Sequence, residues 1–213
     1  MTAREKFREP SGVSPTLKDD GRVDGDVEPM STAQRILHEA SLLFIENGFS
    51  HTALSSIAAK LGVTKAALYY HYKSKDEILL ALVDPLLSHV DQLLITSQQD
   101  RAAGNADLRQ LLARYADVLV SDRRAALIIR DVNVNTHPAI APRITHHSSS
   151  LLALVLDDSP SIEEEVRAVS ALIILQRGLV AQYGWKEREV PMVNHREMLV
   201  RIAVNVLEDR FDD

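Results

Sequence analysis

Two short amphipathic segments joined by Leu61-Gly62-Val63-Thr64 constrain the fold of this chain more than any other feature. Thr52 is placed to cap the first segment, and Gly62 follows that segment as a helix stop. Thr64 is placed to cap the second segment, which runs from Lys65 to about Tyr72. Two such helices around a glycine turn are typical of a helix-turn-helix, although ordinary helical hairpins share the pattern.

The signals on either side of this pair also predict helices. Ser31-Thr32-Ala33-Gln34 is a capping-box pattern that opens a first helix ending at Gly48, and Ser74-Lys75-Asp76-Glu77 opens a long helix. Ser159 and Pro160 are expected to cap and start a later helix. Apolar stripes predict the later helices over residues 107–119, 122–132, 139–156, 161–183 and 194–208.

The chain is therefore predicted to be all-α, with about nine helices. The Val/Ile-rich runs at 127–134 and 172–175 leave helix and strand open locally. The helix over 166–183 is apolar on two sides, so it needs two packing partners. One is its own core, and the other is expected to be a second subunit, with a central helix of a monomer as the alternative.

Composition divides the chain of 213 residues into three parts. Residues 1–30 are rich in Pro and Gly and have no apolar period, so we expect a disordered tail. Residues 31–76 carry five basic and three acidic side chains, whereas the whole chain has a net charge of −6. A basic, tyrosine-rich segment in an acidic chain suggests that 31–76 is a local polyanion-binding module.

The second short helix carries the side chains that suggest DNA. Leu68 and Tyr72 share a face that can be buried, so Tyr69, Tyr70 and His71 cannot all point inward. Lys65 and Lys75 lie in the first turns of helices, where the helix dipole disfavours a cation unless an anion is bound nearby. Phosphates on both sides of a groove would explain these features together.

The segment resembles the N-terminal module of the tetracycline-repressor (TetR) family of transcriptional regulators. The residues that carry the resemblance are Ile36, Leu37, Ala40, Leu43, Phe44, Gly48, Phe49, Thr52, Ile57, Ala58, Leu61, Gly62, Val63, Thr64, Ala67, Leu68, Tyr69, His71, Tyr72, Ser74, Lys75 and Leu79. The resemblance implies a three-helix helix-turn-helix domain at 31–76. It also implies an effector-binding and dimerisation bundle at 77–213, with a homodimer through the last two helices, about 161–184 and 194–208.

The resemblance also assigns DNA contacts by alignment. Thr64, Lys65, Ala66 and Ala67 would face base edges; Tyr69, Tyr70, His71 and Lys75 would contact phosphates; Thr52 and Ser55 would approach the neighbouring strand. Ala53 stands where many members have Ser or Thr, and Ala66 stands where glycine often follows the lysine, so the individual base contacts are less well defined than the fold. Because lysine prefers guanine O6 and N7, Lys65 predicts a G in each half-site.

The resemblance implies a repressor that a small-molecule effector releases from a palindromic operator; a nonspecific or activator-type DNA-binding protein is the alternative. A different class, a helical metal-dependent enzyme using His137, His146 and His147, has little support because no nucleophile elbow, phosphate loop or dinucleotide motif is present. No enzymatic activity and no cofactor are expected. Cysteine is absent, which excludes disulfides and thiolate metal sites.

Polar residues on apolar helix faces are the candidates for an effector pocket. They are Tyr115, His147, Gln176 and Tyr183, although a polar residue at such a position is more often a satisfied core or interface group than a ligand contact. The scarcity of aromatic residues after position 76 disfavours a cage for a bulky cation, and an aliphatic, acyl-like or terpenoid effector is expected instead. No signal peptide is recognised, and the longest apolar stretch, 168–182, is interrupted by polar residues, so a cytoplasmic protein without membrane contact is expected.

Overall fold

The computed structural model describes residues 30–181 and 192–209, and within these ranges all regular secondary structure is helical. The helices are α1 (Thr32–Asn47), α2 (Leu54–Leu61), α3 (Lys65–His71), α4 (Lys75–Ala102), α5 (Leu108–Ser121), α6 (Arg123–Ile129), α7 (Val132–Asn135), α8 (Ala141–Val155), α9 (Ile162–Ala181) and α10 (Met192–Glu208). The all-α prediction is confirmed. Of the residues expected to form a tail, 1–30, all except Met30 lie outside the described ranges.

Local capping signals position α1 and α3 as the sequence predicts. The Ser31 hydroxyl accepts from Gln34 N at 3.2 Å while the Gln34 side chain accepts from Ser31 N at 2.8 Å, which completes the capping box. Gly62 ends α2 with φ 67°, a left-handed conformation that glycine adopts without steric cost. Thr64 caps α3 by accepting from Ala67 N at 3.1 Å.

Thr52 does not cap α2, so that part of the prediction is wrong. Ala53 occupies the N-cap position and makes no side-chain bond. The Thr52 side chain is instead buried, and its hydroxyl lies 2.8 Å from Gly48 O and 3.2 Å from Leu43 O. Because the hydroxyl satisfies carbonyls at the end of α1, Thr52 fixes the α1–α2 loop rather than the start of α2.

The long helix α4 begins with half of the expected capping box. Ser74 accepts from Glu77 N at 3.0 Å, but the Glu77 carboxylate accepts from Lys73 N rather than from Ser74 N. The helix continues through Pro85 and is long and apolar enough, by length and composition alone, to cross a membrane, with a mean hydropathy of 1.6 in its most apolar window. The sequence analysis missed this stretch because isolated aspartates interrupt it.

The segment predicted as one helix over 122–132 is two helices. α6 ends at Ile129, and Asp131 starts the short α7 by accepting from Asn133 N at 2.9 Å. An aspartate is a strong N-cap, and here it interrupts an apolar run that has no glycine or proline. The Val/Ile-rich stretches that left strand open are helical wherever they have regular structure.

The start of α9 also differs from its prediction. Ser161, not Ser159, accepts from Glu164 N, and the Glu164 carboxylate accepts from Ser161 N at 2.7 Å. The reciprocal pair forms because glutamate stands three residues after Ser161. Near the other end of α9, Gly178 lets α10 approach closely, since a Cβ there would lie 2.6 Å from a methyl carbon of Leu199.

Two apolar cores organise these helices, and α4 contributes to both. The first core joins α1, α2, α3 and the start of α4 with Ile128, Val134 and Ile140 from α6, α7 and the α7–α8 connection. The second core joins the rest of α4 with α5, α6, α8, α9 and α10. The first core therefore uses side chains from well beyond residue 76, and the helix-turn-helix is built onto the helices that follow it.

Candidate nucleic-acid interface and ligand cavity

Helix α3 buries one side and presents the other. Leu68 is fully buried and Tyr72 is half-buried against the same core, as their spacing predicts. Tyr69 is 40% exposed and Tyr70 is 79% exposed, and their outward position has no explanation in the packing of the first core. Helix α3 is therefore held on the first core by one face and exposes polar and aromatic side chains on the other. This geometry is suited to binding in a groove of DNA.

The other residues expected at this surface fall into three exposure classes. Thr64, Lys65, Ala66 and Ser55 are exposed, while Ala67, His71 and Lys75 are half-buried. Thr52 is buried, its hydroxyl is bonded within the α1–α2 loop, and its amide donates to Phe49 O, so the structure does not present it for contact. Ser55 is thus the α2 candidate whose side chain is accessible. The DNA contacts themselves stay predictions.

Lys75 has a structural role that the sequence analysis did not anticipate. Its Nζ donates to Phe49 O at 2.8 Å and to Ser50 O at 3.4 Å, and it lies 4.3 Å from the centroid of the Phe49 ring. These contacts stabilise a cation in the first turn of α4 without any bound anion. Lys75 therefore links α4 to the α1–α2 loop. A contact with a DNA phosphate would use the third N–H of its ammonium group.

Lys73 was missed by the sequence analysis. Its Nζ donates to Tyr69 O at 3.1 Å and to Tyr70 O at 3.4 Å, so the ammonium covers the carbonyls at the end of α3. The available signal was a lysine just past a predicted helix end, where cations satisfy terminal carbonyls. Lys73 and Lys75 together fix both sides of the turn between α3 and α4.

A cavity of about 200 Å³ lies among α4, α5, α6, α7, α8 and α9. Three of the four predicted pocket residues, Tyr115, His147 and Gln176, line it together although they are far apart in sequence. Tyr183 lies outside the described residues. Most of the wall is aliphatic, formed by Leu86, Leu87, Val90, Leu119, Ala126, Ile129, Ile144 and Leu151.

The polar groups of the cavity are positioned by hydrogen bonds. Gln176 Nε2 donates to the Tyr115 hydroxyl at 2.8 Å. Burial raises the pKa of Tyr115 to about 12, although the bond from Gln176 acts in the opposite direction, so the phenol is neutral. Because its oxygen accepts from Gln176, the phenol hydrogen is left to donate to another acceptor.

His147 is held from behind the cavity wall by Asp91. His147 Nε2 lies 2.5 Å from Asp91 Oδ1, and Arg143 Nη2 lies 2.6 Å from the other oxygen of that carboxylate. Partial burial acts to raise the pKa of Asp91, but the hydrogen bonds from His147 and Arg143 outweigh it and lower that pKa. Asp91 is therefore ionised, so Nε2 of His147 carries the hydrogen and the ring orientation is fixed.

The structure does not support the metal alternative. His147 is buried, the adjacent His146 is exposed, and His137 packs against Phe49 in the first core. Among residues 30–181 and 192–209, no group of three or more His, Asp or Glu side chains is arranged to hold a metal ion. Neighbouring histidines on a helix point about 100° apart, which explains why the pair diverges.

Asp131 connects the cavity wall to the α1–α2 loop. Its Oδ2 accepts from Phe49 N at 2.8 Å, across 82 residues of sequence, while Ile129, Arg130 and Asn135 on either side of it line the cavity. Partial burial opposes ionisation of Asp131, but the amides of Phe49 and Asn133 lower its pKa. One short segment, 129–135, therefore contacts both the cavity and the helix-turn-helix module.

An exposed, capped α3 that follows a glycine turn and packs on α1, α2 and the start of α4 has the geometry of a helix-turn-helix. Residues 36–82 match the model of the family described as bacterial regulatory proteins, tetR family. Among curated relatives, the chain is 30% identical over 102 residues to the Transposon Tn10 TetC protein of Escherichia coli, covering 48% of this chain and 51% of that protein. It is 33% identical over 102 residues to the HTH-type transcriptional regulator TtgR of Pseudomonas putida, covering 47% and 49%.

A solved structure, Mycobacterium smegmatis AmtR, has the same fold with a TM-score of 0.65 at 22% identity, covering 87% of this chain and 89% of that one. The family model and the curated relatives therefore show that residues 36–82 are similar to the regulatory module of the tetR family. The chain matches about half the length of the curated relatives. The likeness to AmtR shows that the fold extends through the helices that follow the helix-turn-helix.

Proposed function

We propose that this protein binds a palindromic DNA operator as a homodimer and represses transcription until a small-molecule effector releases it. The observation that carries the proposal is the geometry of α3, which buries Leu68 while presenting Lys65, Tyr69 and Tyr70. This arrangement leaves donors and aromatic edges where a major groove and its phosphates would lie. The setting is the cytoplasm, where chromosomal DNA is accessible.

The exposed face of α9 supports a homodimer. Its buried side carries Ala168, Leu172 and Leu175, whereas Val166 is 59% exposed and Ile173 is 48% exposed. The other exposed apolar side chains of this surface are Ile162 and Val169 on α9 and Met198 and Ile202 on α10. An apolar face of this size on neighbouring helices favours a second copy of the chain over water.

The dimer would fix the distance between two α3 helices. A two-fold dimer reads two half-sites about one helical turn, or roughly 34–36 Å, apart, so the operator is expected to be a palindrome. Thr64, Lys65, Ala66 and Ala67 would face bases, and Tyr69, Tyr70, His71 and Lys75 would face phosphates, with Ser55 on the adjacent strand. Lys65 is the long donor in the first group and would select guanine.

Release by the effector would act through the segments that border the cavity. An effector would contact α4, whose first turn carries Lys75, and the 129–135 segment, whose Asp131 holds Phe49. A shift of either element would move α3 relative to its partner in the dimer and prevent simultaneous binding of both half-sites. Reciprocity then requires operator DNA to weaken effector binding by the same factor.

Selection of binding sites from a random duplex library tests the proposal. We expect an enriched palindrome, with affinity reduced by Tyr70→Ala and unchanged by Arg109→Ala on the exposed surface of α5. Tyr70 is the informative position because its 79% exposure makes a packing defect small. A folded, dimeric protein that enriches no sequence would contradict the proposal.

An activator role is the second candidate, because curated relatives include proteins named as an activator as well as repressors and negative regulators. The two roles differ in the position of the operator relative to the promoter. In vitro transcription from a promoter carrying the selected palindrome separates them: repression lowers transcript yield, and activation raises it. The matched family consists of regulators rather than enzymes.

A further inference from the structure

Two arginines at the cavity are left unpaired by the part of the chain that the structure describes. Arg130, at the end of α6, and Arg177, beside Gln176 on α9, both border the cavity and are exposed. Within the described residues neither guanidinium forms a hydrogen bond or an ion pair. Arg143, which lies just behind the wall, is by contrast paired with Asp84 and Asp91.

The charge around this cavity is opposite in sign to that of the whole chain. The chain contains 30 acidic and 24 basic residues, yet among residues 30–181 and 192–209 no Asp or Glu side chain lines the cavity. Two guanidinium groups at the open edge of an apolar wall attract an anionic head group, because no acceptor within the described residues competes for them. Guanidinium groups are suited to carboxylates, which they bind with paired, charge-assisted hydrogen bonds.

The remaining polar lining also favours an acceptor-rich ligand. The Tyr115 hydroxyl accepts from Gln176, so its hydrogen is free to donate into the cavity. The aliphatic wall formed by α4, α5 and α8 would bind an apolar chain. A volume of about 200 Å³ lies below the usual range for ligand pockets, roughly 300–1,000 Å³, which limits the ligand to a short chain.

We propose that the effector is an amphipathic carboxylate whose apolar chain lies along the aliphatic wall and whose head group binds Arg130 and Arg177. This inference rests on the proposed function, because it assigns a chemical class to the effector of the same cavity. Binding of the carboxylate would draw the end of α6 toward α9. Since Asp131 follows Arg130 directly, the head group would act next to the residue that holds Phe49.

A series of probes that differ only in the head group tests the charge requirement. Hexanoate, octanoate and decanoate would be compared with the alcohols and primary amines of the same chain lengths, using calorimetry on the full chain. The best carboxylate should bind at least about tenfold more tightly than its alcohol, and the amine should bind most weakly. The inference is overturned if no carboxylate binds more tightly than its matched alcohol.

Substitutions then locate the head group. Arg130→Gln and Arg177→Gln should each weaken binding of the best carboxylate by about tenfold while leaving binding of the alcohol unchanged. Arg130→Lys and Arg177→Lys should retain part of the preference, since the charge remains. Arg109→Gln, on an exposed position away from the cavity, is the matched control and should change nothing. Unchanged carboxylate binding in the double glutamine variant, with a wild-type unfolding midpoint, would contradict the inference.

Operator binding by the same variants separates this inference from the proposed function. All of them should bind the selected operator like wild type when no probe is present, whereas the carboxylate should release wild type and not the double glutamine variant. If the protein binds its operator but shows no preference for the carboxylate, only the inference about the effector class is contradicted. If it prefers the carboxylate but selects no DNA site, only the proposed function is contradicted.

Discussion

The helix-turn-helix half and the cavity half of this molecule obey the same packing rules but differ in how their sites are encoded. In the first, the candidate contacts lie within a few residues of one another on α2, α3 and the start of α4, inside the stretch that matches the family model. In the second, the described residues that line the cavity all lie outside that stretch, and they come from six helices. A site on one short helix can be recognised from spacing, whereas a site between helices depends on how they pack.

The largest expected effects come from truncating a fully buried leucine in each half. Leu68→Ala in the first core and Leu175→Ala in the second should each lower the free energy of unfolding by about 2–5 kcal/mol, because both side chains are fully buried. Leu42→Ala, 41% exposed on α1, is the control and should change it by less than about 0.5 kcal/mol.

Urea denaturation followed by circular dichroism checks this prediction. Because α4 supplies buried side chains to both cores, we expect a single transition that moves to lower urea in both variants without a change in slope. A second transition in Leu175→Ala, with the first core still folded, would show instead that the two halves unfold independently.

Lys65→Ala is expected to have the next largest effect, and on DNA binding alone. Loss of one long donor to a base edge should weaken operator affinity by about 1–3 kcal/mol and relax the preference for guanine at one position of each half-site. The side chain is exposed, so the unfolding midpoint should not move. Site selection with the variant provides the measurement, and an unchanged preferred sequence would assign specificity to other residues.

The same difference explains what the sequence could and could not predict. Ser31 with Gln34, Thr64 with Ala67 and the left-handed Gly62 are local signals, since each partner lies within a few residues, and each is confirmed. The outward position of Tyr70 also follows from helical periodicity alone. Local chemistry was therefore sufficient for most of the helix-turn-helix surface.

Contacts between residues that are distant in sequence could not be predicted from local sequence signals. Asp131 bonds Phe49 across 82 residues, and Lys75 bonds the carbonyl of the same residue across 26. The sequence analysis consequently left Asp131 out and explained Lys75 by a bound anion alone. The meeting of Tyr115 with Gln176, 61 residues apart, could be proposed from helix faces, but the two unpaired arginines beside them became visible only when the helices were packed.

Asp131→Ala tests the connection between the halves and should have an intermediate effect. The variant loses the acceptor for Phe49 N and the cap of α7, which should lower the free energy of unfolding by about 1–2 kcal/mol. It should also weaken the effect of effector on operator affinity, because α7 would no longer hold the α1–α2 loop. Asp131→Asn keeps one acceptor oxygen, so its free energy of unfolding should lie between those of Asp131→Ala and wild type.

The difference in stability between wild type and Asp131→Ala should depend on pH, and the pKa of Asp131 fixes its sign. The pKa of Asp131 in the folded protein is lower than its ordinary value of 3.8, so the carboxylate stabilises the fold above that value. This contribution is lost as the pH falls below 3.8 and through the lowered pKa of the folded state. Wild type and Asp131→Ala should therefore converge in unfolding midpoint at acid pH. A constant difference across this range would mean that the charge of Asp131 does not contribute.

The smallest expected effects come from removing one hydroxyl in each half, with Tyr70→Phe and Tyr115→Phe as a matched pair. Tyr70 is 79% exposed, so its variant should keep the wild-type stability and lose about 1 kcal/mol of operator affinity if the hydroxyl contacts a phosphate. Tyr115 is buried and accepts from Gln176, so its variant should lose about 1 kcal/mol of stability and bind the carboxylate probes more weakly while operator affinity is retained. Thermal unfolding, calorimetry with the probes and operator titration on both variants complete the measurement. If Tyr115→Phe weakens operator binding in the absence of probe, the cavity residue acts on the DNA-bound conformation itself, and the separation of the two sites would have to be abandoned.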